Sequence, residues 1–318
     1  MKIRRKTNCC LNCNHTLSEV YNFCPHCGQE NNDHRVSFGT FIGDFFSNYF
    51  SFDTRIGRSV KPFFLRPGYL TNRFNEGKRM RFVHPLRLYL IVSLFFFFVA
   101  TLLVQLNLEE VSLVSDPETS GDLVEGDSVT VSSWNTILGV MRNEGLSDRE
   151  AIDSLRSMNK LKISLINQAF ADRLFHQLRR VVKNDLSVFG AYLMQNLPVM
   201  MFIVLPLLSL VFKLFYIRRD FLYVHHLVHV LHLHAFAFLV VGVYLLALIV
   251  FGVTDTVSDN IHNAVILLIM GYAYLSFLKV YRQRWYKTLF KFFLLFNVYF
   301  FLLLFAAIGE GFISFMIF

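Results

Sequence analysis

Four cysteines near the start of the chain have the spacing of metal ligands. They form two Cys-x-x-Cys pairs, Cys10 with Cys13 and Cys24 with Cys27, in the stretch CLNCNHTLSEVYNFCPHCG. Each pair places two sulfurs on one tight turn, and two facing turns give a tetrahedral site of four thiolates, which suits zinc. Because four thiolates leave no open coordination position, we expect one structural zinc ion and not a catalytic one.

The remaining cysteine is Cys9, and no cysteine follows Cys27. A disulfide framework is therefore excluded from the rest of the chain, and the tight pairs favour metal binding. His15 and His26 lie among the cysteines and are substitute ligands at best. The alternative interpretation is a set of unmetallated or redox-active thiols.

A second group of potential ligands is the histidine run in YVHHLVHVLHLHAF, which contains His225, His226, His229, His232 and His234. On a helix the first, third and fourth of these share one face, the second lies beside them, and the last points to the opposite face. Three interpretations are open: a second metal site with an open coordination position, a proton-relay or polar packing role, and anchoring at the headgroup level of a membrane.

Basic residues form the third group, between positions 55 and 87. The candidates for binding lipid headgroups or a phosphate group are Arg66, Lys78, Arg79, Arg81 and Arg87. One arginine side chain can donate two parallel hydrogen bonds to the oxygens of a phosphate group. Basic clusters beside a membrane attract anionic lipids. Ordinary charge anchoring is the alternative. The preceding residues 36–52 place aromatic side chains along one side of a helix that is too short to span, so we expect it to lie in the interface.

Membrane helices must position these groups. The mean hydropathy is +0.44 and 54% of residues are hydrophobic, whereas soluble domains are about 45–50% apolar. A span needs about 20 apolar residues. Five segments meet this requirement: residues 86–106, 192–215, 222–252, 261–280 and 287–309. We therefore predict an all-α integral membrane protein with about five transmembrane helices and a small N-terminal zinc ribbon.

The distribution of charge predicts the orientation. Residues 1–88 contain fourteen Lys and Arg against six Asp and Glu, and the connections after the second and fourth spans are also basic. The connection at 253–262 contains two Asp and no Lys or Arg. Basic segments stay on the cytosolic side, so the N-terminus is expected there. No cleavable signal peptide is expected, because polar sequence follows the basic residues 1–6.

The predicted organisation has five parts. These are a cytosolic zinc ribbon at 1–32, an interfacial basic and aromatic segment at 33–85, the first transmembrane helix at 86–106, an external loop with two helices at 107–185 and a four-helix transmembrane region at 186–318. One loop helix should begin near residue 148, after the capping box that starts at Ser147, and the other covers 160–184.

Three blocks of sequence resemble a known family. They are CLNC with CPHCGQ, FLRPGYLTNRFNEGKRMRFVHPLRLYL and YVHHLVHVLHLHAFAFL. They are similar to the bacterial membrane proteins grouped as domain of unknown function 3667. That family's pattern has Glu-His where this chain has His225-His226, whereas His226, His232 and His234 match it. The resemblance implies a bacterial inner-membrane protein with a zinc ribbon, and it implies no particular activity.

These observations favour a non-enzymatic scaffold or regulatory protein. The ribbon would dock a cytosolic protein partner, and the basic segment would bind anionic lipid. No nucleic-acid partner is expected, because the basic residues border apolar runs. No catalytic residue is predicted, and the sequence leaves the oligomeric state open.

Two alternative functions stay open. A metal-dependent membrane enzyme acting on a lipid or isoprenoid-phosphate substrate would need a second metal. A transporter would use Pro198 and Pro206 to break the second span around a pathway.

Overall fold

The structure is a computed structural model, and it describes residues 6–31, 37–47, 55–114, 139–141, 146, 150–151, 168–183, 186–251 and 255–317. Within these residues the chain is helical apart from turns and two isolated bridges, Cys9 with Thr16 and Phe23 with Glu30. The helices are α1 Phe38–Ser47, α2 Arg55–Leu65, α3 Tyr69–Asn75, α4 Pro85–Val114, α5 Gln168–Lys183, α6 Leu186–Phe215, α7 Tyr223–Phe251, α8 Asp255–Tyr281 and α9 Trp285–Ile317. The predicted all-α class is confirmed.

Five of these helices are long and apolar enough to cross a membrane. Their apolar stretches are Pro85–Leu106, Tyr192–Phe215, Tyr223–Phe251, Asn260–Tyr281 and Trp285–Ile317. Each corresponds to one of the five predicted segments, so the multi-pass architecture is confirmed. The last helix runs further than the predicted boundary at 309 and continues through GEGFISFMI to Ile317. The cytosolic location of the N-terminus stays a prediction.

The chain forms two compact units, of which the first comprises Met1–Ala100 and Met201–Leu304. In this unit the short helix α3 packs against α2, α7 and α8. Aromatic rings fill the core between them: Phe236 of α7 stacks on Tyr272 of α8 with ring centroids 3.5 Å apart. The hydroxyl of Tyr272 donates to the carbonyl oxygen of Phe63 in α2 at 2.6 Å. Stacked and hydrogen-bonded aromatics thus fix α2 onto the long helices.

Gly68 directly precedes α3 and allows this close packing. Its φ is 74°, in the left-handed region that glycine adopts without strain. A Cβ at this position would lie 3.0 Å from Val280 Cγ2 and 3.1 Å from the Ser276 carbonyl oxygen, both on α8. Gly77, with φ 87°, follows the end of α3. The chain therefore turns at Pro67-Gly68 before α3 and leaves the helical conformation after it.

The second unit comprises Thr101–Met200 and Phe305–Phe318. Helix α5 is held by Arg179, which is buried and donates from Nε to the carbonyl oxygen of Met141 at 3.2 Å. The described part of this helix begins at Gln168, and the predicted start at 160 lies outside the described residues. The other predicted loop helix is represented by residues 150–151, which are helical, whereas 147–149 lie outside the described part.

Candidate metal centre and buried histidine helix

The four paired cysteines come together at one point. Their Sγ atoms all lie within 4.8 Å of one another. The Sγ atoms of Cys10 and Cys27 are 3.6 Å apart, as are those of Cys13 and Cys24. A tetrahedral ion with bonds of about 2.3 Å to sulfur separates its ligand atoms by about 3.8 Å. The predicted ligand set therefore fits around one metal ion and can hold it.

The two Cys-x-x-Cys turns share one backbone geometry. In each, the residue after the second cysteine has a positive φ, 61° at Asn14 and 72° at Gly28. That residue donates its N–H to the carbonyl oxygen of the first cysteine at 2.9 Å. Asn and Gly are the residues that adopt this left-handed conformation most readily. The local sequence thus builds two matching turns whose sulfurs face each other.

The thiols of the two turns differ in acidity. Burial raises the pKa of the Cys10 thiol to about 12. Burial also acts to raise the pKa of Cys24, but backbone N–H groups of Cys27 and His26 oppose it and hold that pKa at about 7. Thiolates, not thiols, bind metals, so loading of this site must release the Cys10 proton.

The other candidate ligands in the ribbon stand apart from this group. Cys9 is exposed. The rings of His15 and His26 are also exposed, and they stack on each other with centroids 5.7 Å apart. Neither histidine belongs to the cluster of four sulfurs. The set Cys10, Cys13, Cys24 and Cys27 is therefore complete without them.

A single glutamine fixes the ribbon to the segment that follows α3. Gln29 is buried, and its Nε2 donates to the carbonyl oxygen of Gly77 at 2.8 Å. Its Oε1 accepts the backbone N–H of Arg79 at 3.4 Å. Because Gln29 is also part of the second cysteine turn, where its carbonyl oxygen accepts the N–H of Cys24 at 2.8 Å, the metal-binding turn and this segment share one residue.

Two of the five histidines meet at one hydroxyl. The Oη of Tyr281 lies 2.9 Å from Nδ1 of His226 and 3.3 Å from Nδ1 of His229. The other ring nitrogen of His229, Nε2, lies 3.0 Å from Oγ of Ser276. Both histidines are fully buried, and these hydrogen bonds replace water at three of their four ring nitrogens, whereas Nε2 of His226 has no hydrogen-bond partner among the described residues. The hydrogen bonds join α7 to α8.

The other three histidines have separate partners. Nδ1 of His232 lies 2.9 Å from the Thr71 hydroxyl on α3. His234 pairs through Nε2 with the Tyr299 hydroxyl at 2.8 Å. His225 accepts the backbone N–H of Leu222 at 3.3 Å through Nδ1. The hydrogen-bond partners of the five histidines thus lie on α3, α8, α9 and the turn that precedes α7.

Each of the five histidines thus forms a hydrogen bond within the protein. Across the described ranges of the chain, the four cysteines are the one group of three or more His, Cys, Asp or Glu whose ligand atoms lie close enough to share a metal. A metal site formed by the histidines stays a prediction. What the geometry supplies is a row of imidazoles whose hydrogen bonds tie α7 to its neighbours.

The segment that contacts both the ribbon and α7 consists of α2, α3 and the start of α4. Residues 53–97 match the family described as Protein of unknown function (DUF3667). The predicted resemblance is confirmed by this match. We call residues 53–97 the DUF3667 segment. It contains Gly77 and Arg79, which hydrogen-bond to Gln29, and Thr71, which hydrogen-bonds to His232. No curated protein and no solved structure matches the chain.

The basic residues of the DUF3667 segment have several different partners. The guanidinium groups of Arg66, Arg79 and Arg81 lie 5.6, 5.9 and 5.7 Å from the rings of Tyr69, Phe74 and Phe82, respectively. Lys78 forms an ion pair with Glu76 at 3.2 Å, and Arg87 is buried. Arg66 and Arg81 are exposed, so these two are the most accessible members of the predicted set.

Sequence reasoning missed the residues that connect the parts. Gln29, Thr71, Ser276 and Tyr281 were not predicted as site residues, yet each binds a predicted ligand or a segment beside it. Thr71 and His232 are 161 positions apart, and no short motif relates them. Only the polar character of Ser276 and Tyr281 inside an apolar span pointed to buried hydrogen bonds.

Proposed function

We propose that this protein is a non-enzymatic membrane scaffold or regulatory protein whose zinc-loaded ribbon docks a cytosolic protein partner. The observation that carries the proposal is the ribbon patch, which we define as Val20, Tyr21 and Phe23. These side chains are 80%, 46% and 58% exposed, respectively. Single exposed apolar residues are common, but three within four positions on so small a unit are typical of a contact surface.

The size of the ribbon supports this role. Its own core consists of the cysteines with Leu17, which is too little apolar volume to enclose a substrate. Binding of a structural zinc ion supplies the folding free energy that such a core lacks. The ribbon patch lies in the stretch between the two cysteine turns, so zinc would hold it in a fixed shape for recognition by a partner.

Gln29 connects the ribbon, where a partner would dock, to the membrane-length helices through α3. Gln29 fixes the ribbon to Gly77, and α3, which ends just before Gly77, packs against α7 and α8. A partner bound at the ribbon patch would therefore be held at a defined place on the first unit. This is the property expected of a scaffold.

Helix α2 supports the accompanying proposal of lipid binding. Ile56, Val60 and Phe64 recur at intervals of four residues, and all three are exposed. Lys61 is exposed beside this stripe, and Arg58 is exposed on the opposite side of the same helix. An apolar stripe on a helix that also carries exposed basic residues is typical of a helix lying at the headgroup level of an anionic membrane.

The test is site-specific photo-crosslinking from position 21 of the full-length protein in its native membranes. A discrete adduct with one soluble protein is expected. It should disappear when Val20 and Phe23 are both replaced by Ser, and metal content should stay unchanged. The matched control replaces Ser18 and Asn22, which are exposed polar residues of the same loop, by Ala. An adduct that persists in the Val20/Phe23 variant, or crosslinking to lipid alone, would overturn the docking proposal.

A further inference from the structure

A basic cavity lies between the end of α6 and the start of α9. Its volume is about 690 Å³. Four cationic side chains line it: Arg218, Arg219, Lys287 and Lys291. No Asp or Glu lines the cavity among the residues that the structure describes. Like charges gathered around one space repel each other, and a bound anion would relieve that repulsion.

Two buried polar groups belong to the same cavity. Tyr216 is 1% exposed, and its hydroxyl has no hydrogen-bond partner within the described part of the chain. Oε1 of Gln283 is likewise buried without a partner there. A buried polar group without a hydrogen bond is costly, and such groups in a native protein commonly await a ligand or water. The hydroxyl can donate to a phosphate oxygen, and the amide oxygen can accept from a headgroup hydroxyl or amine.

The cavity wall is ordered by contacts within the protein. Nζ of Lys291 donates to the carbonyl oxygen of Phe215 at 2.9 Å and lies 4.1 Å from the centre of the Tyr216 ring. That ring stacks on Tyr281 with centroids 3.7 Å apart. The ammonium group retains N–H donors for a ligand, because one carbonyl occupies only one of its three. A cation and a hydroxyl donor are thus held side by side.

The surroundings of the cavity identify the kind of molecule. The apolar stretch of α6 ends at Phe215 and that of α9 begins at Trp285, so the cavity lies at the end of two membrane-length helices. Exposed apolar side chains, Leu214 and Phe290, form part of its lining. Trp and Tyr are enriched at the boundary between lipid and water, and Trp285 and Tyr286 are both exposed here.

We propose that this cavity binds the phosphate group of an anionic phospholipid, with the acyl chains lying along Leu214 and Phe290. Basic pockets between transmembrane helices are suited to such headgroups. The arginines supply paired N–H donors to the phosphate oxygens, and Lys291 and Tyr216 supply a further donor each. The site involves neither the ribbon nor α2, so it stands independently of the docking proposal.

The experiment is native mass spectrometry of the delipidated full-length protein in detergent, titrated with dioleoylphosphatidylglycerol or dioleoylphosphatidylcholine. One tightly bound phosphatidylglycerol per chain is expected, with weaker retention of phosphatidylcholine. Replacing Arg218, Arg219 and Lys287 together by Gln should weaken phosphatidylglycerol binding about tenfold or more. The matched control is Lys6/Arg173/Arg180→Gln, which removes the same charge from exposed positions outside this cavity and outside α2 and should leave this binding unchanged.

Tyr216→Phe keeps the ring stacking and removes only the hydroxyl, so it tests the site in a folded protein. We expect a loss of about twofold to tenfold in phosphatidylglycerol affinity, the range for one hydrogen bond. Equal binding of the two lipids, or equal losses in the two triple variants, would overturn the proposal. Displacement of the lipid by inorganic phosphate and glycerol 3-phosphate at equal concentration would also overturn it, because the site would then be one for soluble phosphates.

Discussion

The side-chain amide of Gln29 donates to the carbonyl oxygen of Gly77 across 2.8 Å and joins the cysteine ribbon to the DUF3667 segment. The same side chain accepts the backbone N–H of Arg79. One buried residue of the metal-binding turn thus satisfies two backbone groups of another part of the chain. The position of the ribbon is therefore coupled to that of the turn that follows α3.

Gln29→Ala should loosen the attachment of the ribbon to the DUF3667 segment without loss of the bound metal. The change removes the side-chain hydrogen bonds to the Gly77 carbonyl and the Arg79 N–H, which keep their 3.0 Å bond to each other. The cost is about 0.5–1.5 kcal/mol for each hydrogen bond lost. We expect faster amide hydrogen exchange in residues 8–31 and around Gly77, with metal content unchanged. Asn22→Ala, an exposed change in the same ribbon, should have little effect. Unchanged exchange in Gln29→Ala would show that other contacts fix the ribbon.

Metal content separates the scaffold interpretation from the enzyme alternative. Purified protein should contain one zinc ion per chain, and replacing the four paired cysteines by Ser should remove it, because the remaining cysteine, Cys9, cannot supply a four-sulfur site by itself. A His226/His229/His232→Ala variant should retain the full zinc content. Elemental analysis of the three proteins measures this directly. A second metal that survives the cysteine changes and disappears with the histidines would favour the enzyme.

Gly68→Ala should destabilise the first unit. The left-handed φ of 74° costs a non-glycine residue about 1–2 kcal/mol, and the added Cβ meets Val280 and the backbone of Ser276 at 3.0–3.1 Å. We expect a lower thermal unfolding midpoint in detergent. Gly57→Ala is the matched control, because a Cβ there meets nothing within 4 Å and Ala favours the helix α2 by about 1 kcal/mol. Its midpoint should stay the same or rise.

Acid should weaken the packing around His84. Burial, assisted by the positive charges of Arg87 and Arg79, lowers the pKa of His84 to about 4. The ring lies against Phe41, with centroids 4.7 Å apart, and His232 of α7 is near enough to interact with it electrostatically.

In the unfolded chain His84 is protonated below a pH of about 6.5, whereas in the folded protein it stays neutral until about pH 4. The stabilising contribution of the neutral ring is therefore complete above pH 6.5 and is lost as the pH falls towards 4. Unfolding midpoints measured across this range should fall less steeply in His84→Gln than in the parent protein. Parallel pH profiles for the two proteins would contradict the assignment.

Tyr281→Phe should be far more damaging than Tyr216→Phe. The hydroxyl of Tyr281 serves two buried histidines, and its removal leaves both Nδ1 atoms without that partner. We expect a loss of about 1–3 kcal/mol for each. The neighbouring Tyr216 stacks on the same ring, but its hydroxyl has no partner within the described residues, so its removal should be nearly neutral in lipid-free detergent. Thermal unfolding of the two variants side by side makes the comparison.

The features that the sequence predicted depend on neighbouring residues. The five spans follow from runs of apolar residues, and the four-sulfur cluster follows from two short motifs with matching turns. Each of these is determined within about 30 residues, which is the range over which periodicity and turn chemistry act.

The features that escaped prediction depend on distant pairs. The histidine run has several possible facing partners, and its spacing alone cannot select Tyr281 for two of the rings and Thr71 for another. The placement of α3 between α2 and the long helices is likewise a tertiary result, since this helix has only seven residues. The basic cavity arises from two chain segments about 70 positions apart, each of which resembles ordinary charge anchoring.

The shared hydroxyl of Tyr281 has one more consequence. A phenol carries one proton, so at most one of the two Nδ1 atoms that face it can accept that proton. The other imidazole must hold its own hydrogen on Nδ1, and the choice at His229 then decides whether Ser276 donates or accepts. The tautomers of His226 and His229 are therefore interlocked. In this buried group, moving the hydrogen of one histidine requires the Tyr281 hydroxyl and the other histidine to move their hydrogens as well.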